Sequence, residues 1–98
     1  MIEATTMVHR NPRAAFRRLA EGSGGVLLHL DSSQYHGVNE VGAAIWELAE
    51  DDVAFGDLVA ALRGRLDDPP ADLEADVESF LRELEERTLV ELRAAGEA

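Results

Sequence analysis

Over residues 26–31 the chain alternates, with Val26, Leu28 and Leu30 on one face and Leu27, His29 and Asp31 on the other. A period of two marks a β-strand with one firmly apolar side, that of Val26, Leu28 and Leu30. Asp31, Ser32 and Ser33 supply a turn, and 34–38 can return antiparallel as the short second arm of a hairpin. Ahead of it, 14–19 reads as a first strand anchored by Phe16, or as a short helix following Pro12, since proline suits a first helical position. The strand is favoured, because two strands alone are marginal and a third completes a sheet.

From Asn39 onward the period changes to that of a helix. Asn39 is an N-cap for a helix starting at Glu40 or Val41, with Val41, Ala44, Ile45 and Leu48 on one stripe and Trp46 beside them. Gly42 and Ala43 are small enough for close packing. After the polar break at 50–52, Phe55, Leu58, Val59, Leu62 and Leu66 recur at helical spacing until Pro69 and Pro70 end the pattern. Asp72 resembles an N-cap for the longest helix, 73 to about 87, whose stripe is Leu73, Val77, Phe80, Leu81 and Leu84. Residues 89–92 read as a short final strand or an irregular cap. The expected architecture is α+β and winged-helix-like, a small three-stranded antiparallel sheet followed by three helices. Residues 1–13 are expected as a flexible N-terminal arm, 14–92 as the domain and 93–98 as a flexible tail.

The totals narrow the function classes. A chain of 98 residues is one small domain, and 46% hydrophobic residues set it apart from disordered, core-less chains. With no cysteine, disulfides and thiolate metal sites are excluded. No apolar run approaches the roughly 18 residues of a membrane span, and 1–8 lacks a secretory pattern, so a cytoplasmic protein is expected. The net charge of −11 is unevenly spread: four arginines face three acids up to residue 38, and five arginines face 17 acids beyond it. Such an acidic body repels phosphate backbones. The longest helix carries Glu74, Asp76, Glu78, Glu83, Glu85 and Glu86, the reverse of a DNA-reading helix, so nucleic acid is not an expected partner.

Candidates for chemistry are thin. His9, His29 and His36 lack ligand spacing. His29 and His36 facing across the hairpin, with Asp31, make a weak metal site at best, and ordinary sheet residues are the favoured reading. The acid pairs Asp51/Asp52 and Asp67/Asp68 sit at helix boundaries, where solvation explains them. The run Gly22, Ser23, Gly24, Gly25 has no phosphate-loop lysine, since the chain has no lysine at all. No enzyme activity, cofactor or metal is expected. What remains is the sheet edge at 34–38, whose unpaired backbone groups can accept an extended peptide. The competing readings are a tolerated polar edge and a packing or dimerisation module.

The segment 25–46 reads G-V-L-L-H-L-D-S-S-Q-Y-H-G-V-N-E-V-G-A-A-I-W. Together with Asp57, Leu58, Val59 and Leu62, then Asp76, Val77, Phe80, Leu81, Leu84, Leu89 and Val90, it resembles the PqqD family, the peptide-modification chaperones whose fold is also called the RiPP recognition element. That resemblance covers roughly 14–92. It implies a non-catalytic chaperone that binds the leader region of a ribosomally made precursor peptide and delivers it to a modifying enzyme, either a radical SAM enzyme or a lasso-peptide protease and cyclase. The leader is then expected to lie antiparallel along the third strand and against the third helix. Peptide-binding positions would be Ser33, Gln34, Tyr35, His36, Gly37 and Val38 on the strand side. On the helix side they would be Val77, Phe80, Leu81 and Leu84, a stripe shared with the core, with Arg82 pairing a leader carboxylate. The arginines between Arg10 and Arg18 would salt-bridge an acidic leader or the enzyme. The alternative is an oligomerising or regulatory module using the same edge, and edge pairing also allows a homodimer. Two positions depart from the family pattern. Thr88 stands where glycine is common, so a different exit from the last helix is expected, and Val53-Ala54 replaces a threonine-type cap, leaving the second helix with a less defined start.

Overall fold

The computed structural model describes residues 2–20 and 22–94. In chain order its elements are β1 (Met7–Arg10), β2 (Ala14–Arg18), β3 (Gly25–His29), β4 (Gln34–Val38), α1 (Glu40–Leu48), β5 (Val53–Ala54), α2 (Phe55–Arg65), α3 (Leu73–Glu86) and β6 (Val90–Arg93). The expected sheet is β2-β3-β4, antiparallel throughout and followed by three helices, as in a winged-helix-like fold. The segment at 14–19 is a strand, and Asn39 caps α1 by accepting from Gly42 N at 2.8 Å.

A second sheet, β5-β1-β6, accompanies the first. It corrects the reading of 1–13 as a flexible arm. Val8 is fully buried, Ile2 lies in the core, and Met7–Arg10 pairs with β5 on one side and β6 on the other. The strand is only four residues long and its flanks are the polar His9, Arg10 and Asn11, so its alternation is too brief to register as a period. Arg93 closes β6, and of the expected 93–98 tail, residues 95–98 lie outside the described residues.

The same N-terminal segment defines the start of α2. Ala54 offers no side-chain cap. Instead Thr6 O accepts from Phe55 N at 2.7 Å and Ala4 O from Gly56 N at 2.9 Å, so main-chain carbonyls satisfy orphan donors of the first turn. Asp72 likewise makes no side-chain cap for α3. At the far end of α3, Thr88 takes a left-handed φ of 57°. Thr88 N donates to Glu85 O and Leu89 N to Leu84 O, the paired closing bonds that usually end on glycine. The helix exit therefore keeps the glycine-type geometry with a β-branched residue, at a backbone cost of about 1–2 kcal/mol. Thr88 Oγ1 is also held 2.8 Å from His29 Nε2.

Two connected clusters form the core. One gathers Val8, Ile45, Phe55, Leu58, Leu62, Leu73, Val77 and Leu81 between the helices. The other sets Leu27 and Val38 of the sheet against Ala43, Trp46, Leu84, Leu89 and Val90. Phe80 and Leu92 pack against both. Leu27, 0% exposed, therefore points inward, and alternation turns Val26, Leu28 and Leu30 outward, with Leu30 42% exposed. This inverts what the hydrophobic pattern suggests. Leu27 is flanked by a glycine at 25 and a histidine at 29, so the inward face looks polar in sequence although it carries the buried residue.

The inversion has a direct test. Leu27→Ala should cost about 2–5 kcal/mol in chemical denaturation, whereas Leu28→Ala should cost less than about 1 kcal/mol. Equal losses would contradict this assignment of faces.

Candidate functional site

Pairing register decides which backbone groups of β4 are free. Leu30 N donates to Arg13 O at 2.8 Å and Leu19 N to Gly24 O at 2.9 Å. In the β2–β3 ladder the hydrogen-bonded partners alternate, so Ala15 with Leu28 and Arg17 with Val26 share that class. Gly25, Leu27 and His29 then direct their groups toward β4, where they oppose Val38, His36 and Gln34. Tyr35 and Gly37 are left with N–H and C=O turned to the open side. Among the described residues no strand pairs there.

Beside this edge runs α3. Asp76, Phe80, Glu83 and Arg87 follow one another at spacings of four, three and four, which places them on one helix face. The Glu83 carboxylate lies 3.9 Å from His36 Nε2 and 3.8 Å from Arg87. Where β4 ends, an apolar recess of about 260 Å³ opens between α1, α3 and the proline loop, lined by Asn39, Val41, Gly42, Leu66, Pro70 and Phe80. Gly42 makes this approach possible: a Cβ there would sit 3.0 Å from both the Phe80 ring and Val38 Cβ. A smaller hollow of about 160 Å³ lies where β4 begins, between Ser32, Gln34 and His36 on one side and Glu86 and Arg87 on the other.

The expected site residues divide accordingly. Gln34, Tyr35 and Gly37 are exposed along the edge, Ser33 sits at its turn, and His36 and Val38 point inward. Phe80 is half-buried beside the recess. Val77, Leu81 and Leu84 are 0, 1 and 0% exposed and belong to the core. Arg82 is on the far side of α3, lining a hollow with Ile2, Thr6 and Leu92 and bonded to Glu85 at 3.2 Å. The periodicity does not separate Phe80 from its stripe neighbours; Glu83 and Arg87, one and two turns further along the same helix face, follow from helical spacing once Phe80 is fixed. Of the four N-terminal arginines, Arg10 stacks 4.9 Å over the Trp46 ring, Arg13 pairs with Asp31, Arg18 pairs with Glu40 and Glu47, and Arg17 is exposed with no ion pair among the described residues. Among the described residues no group of three or more His, Cys, Asp or Glu is placed to hold a metal ion, and no helix is long and apolar enough to cross a membrane.

Arg18 fixes α1 against the sheet. Its guanidinium meets Glu47 at 2.8 Å and Glu40 at 2.9 Å, and Glu40 also accepts from Gly24 N at 2.9 Å. The Glu47 and Glu40 hydrogen bonds raise the Arg18 pKa above its ordinary value. Gly24 N–H and then Arg18 hold the Glu40 carboxyl below its usual 4.5, and Arg18 does the same for Glu47.

An open edge strand, a flanking helix and an apolar recess at the strand's end define a class of small modules suited to taking an extended polypeptide as an added strand. The family model "Coenzyme PQQ synthesis protein D (PqqD)" matches residues 24–90, and the chain belongs to that family. A solved structure described as "TbiB1 in Complex with the TbiA(beta) Leader Peptide" is similar at 27% identity and TM-score 0.71, over 92% of this chain and 98% of that one. Another, "Lasso peptide synthetase B1 complexed with the leader peptide", shares the fold at 21% identity and TM-score 0.66, over 86% and 96%. No curated protein matches the chain.

Because both carboxyls titrate below their unfolded value, their contribution to stability is complete above pH 4.5 and is lost as pH falls through the lower folded values. The gap in thermal midpoint between wild type and Arg18→Met should therefore be full at neutral pH and close as the pH is lowered past 4.5 and through the depressed folded-state values. A gap independent of pH would remove Arg18 from this role.

Proposed function

We propose that this chain is a non-catalytic leader-peptide chaperone: it holds the leader of a ribosomally made precursor as an added strand on β4 and presents it to the modifying enzyme. The observation that carries this reading is the pair of unengaged backbone groups at Tyr35 and Gly37, beside α3 and the apolar recess. Family membership and the likeness to TbiB1, described with the TbiA(beta) leader peptide, support it.

In this reading the leader runs antiparallel to β4. Its upstream apolar side chain enters the recess beside Phe80 and Gly42, and its downstream end leaves past Gln34 and Arg87 toward the enzyme. Ser33, Gln34, His36 and Val38 shape the edge without donating to the peptide strand. Val77, Leu81 and Leu84 support the groove from within the core, and Arg82, on the other side of α3, takes no part. Asp76, Glu83 and Glu86 make the helix wall acidic, so it favours a neutral or basic leader segment. The enzyme is a radical SAM enzyme or a lasso-type protease and cyclase, and the encounter takes place in the cytoplasm. Nucleic acid and membrane are not partners in this reading, and a homodimer would compete for the same edge.

The test uses the leader of the precursor encoded beside this chain. On titration, amide shifts should concentrate at β4 and the groove face of α3. Proline is tolerated on an edge strand where its missing N–H faces outward, so Gly37→Pro should retain the fold and weaken leader binding at least about tenfold, while Gly37→Ala stays within about twofold. His36→Pro, by contrast, breaks the β3–β4 ladder itself. Unchanged affinity in Gly37→Pro would reject the strand placement, and no binding of any neighbouring leader would reject the function.

A further inference from the structure

We propose that the outer face of the β2-β3-β4 sheet is the surface on which the modifying enzyme docks; this rests on the leader-chaperone reading. Among the described residues the exposed large hydrophobics are Leu19, Leu30 and Tyr35, at 45, 42 and 71%. Tyr35 stands on β4, and Leu19 and Leu30, the residues next after β2 and β3, fall on the same side when the alternation of those strands is continued. By the register, Ala15 lies across from Leu28 and Leu28 from Tyr35, with Val26 one step along. None of Leu19, Val26, Leu28, Leu30 and Tyr35 belongs to either core cluster. An antiparallel sheet with water on one face ordinarily shows polar side chains there. A contiguous apolar face in that position marks an interaction site.

Continuity with the peptide edge and charge identify the occupant. Tyr35 belongs to both surfaces: its ring stands on the outer face, and its main chain faces the open edge. A leader strand added to β4 widens the outer face by one strand, so an enzyme seated there touches chaperone and leader together. The leader itself fills the edge and the groove on the inner side, leaving this face for the second partner. Among the described residues its charge is Arg17, exposed and without an ion pair there, and Arg13, which is matched by Asp31 at the border. The fitting surface is apolar with an acidic rim. A second copy of the chain offers the same uncompensated Arg17 on its own apolar face and an excess of acids elsewhere, so it is the poorer complement.

Shared contact makes the two binding events mutually reinforcing. With the modifying enzyme and the leader both taken from the genes beside this chain, enzyme affinity should rise when leader is present. The double variant Leu28→Ser/Leu30→Ser should lower enzyme affinity at least about tenfold and leave leader affinity within about twofold. Leu19→Ser, at the end of β2, should weaken the enzyme complex without affecting leader binding, and Arg17→Glu should weaken it most at low salt. Leader affinity also reports that each variant is folded. Enzyme affinity unchanged in the double variant would overturn the proposal. So would a parallel loss of leader affinity, which would give the face to the leader, or loss of a dimer in sedimentation with the enzyme complex intact, which would give it to a second copy. If wild type binds no leader, the reading beneath fails as well, and that result is separate from the others.

Discussion

Everything that makes this sheet useful follows from Leu27 lying beneath it. With Leu27 held among Val38, Trp46, Leu84 and Leu89, the parity of β3 is set, and a one-residue slip would carry every side chain to the opposite face. The turn into β3 enforces the same choice sterically. Gly24 has a φ of +76°, and a Cβ there would fall 2.0 Å from Val38 O, so the backbone of β4 closes over that position and cannot shift along it. From this parity come the backbone groups of Tyr35 and Gly37 at the free edge and the apolar residues on the outer face.

The sequence shows the elements well and the faces poorly. Asn39, the small pair Gly42 and Ala43, the double proline and the longest apolar stripe locate all three helices, because each is a local signal read over many residues. The strand β1 escapes because four residues between polar neighbours hold less than a usable period; it is secured by pairing with 53–54 and 90–93, partners more than 40 residues away. β3 misleads for a different reason. Its run of Val26, Leu27 and Leu28 is apolar on both sides, so periodicity cannot say which side is buried, and the glycine and histidine flanking Leu27 bias the reading to the wrong one. At the edge, alternation identifies β4, while the division between inward His36 and edge-facing Tyr35 and Gly37 requires the hydrogen-bond register.

The helices translate that sheet into a groove. α1 is tied to the sheet by Arg18 through Glu40 and Glu47, and its Gly42 lets Phe80 of α3 come within reach of Val38. α3 buries Val77, Leu81 and Leu84 completely, which leaves its adjoining face, Asp76 to Arg87, to stand beside the edge without collapsing onto it. Burial of that stripe fixes where the face of α3 beside β4 stands. Such an arrangement reduces the ordering cost on the protein side, since a preformed edge and recess need only the peptide to give up its freedom.

The groove and the outer face also differ in sign. The α3 wall carries Asp76, Glu83 and Glu86 with Arg87 already engaged by Glu83, whereas the outer face carries Arg17, which has no ion pair among the described residues. On the proposed reading a leader with basic residues would be drawn to the first and repelled from the second, and an acid-rimmed enzyme surface would be sorted the opposite way. Because these charges are exposed, they are screened by salt and contribute more to encounter and orientation than to final affinity. In the proposed arrangement apolar contacts then hold each partner, Phe80 and its recess for the leader and the Leu28–Tyr35 patch for the enzyme. On that proposal charge chooses the face, and Tyr35, whose ring and main chain belong to the two surfaces, links the two occupants through a single strand.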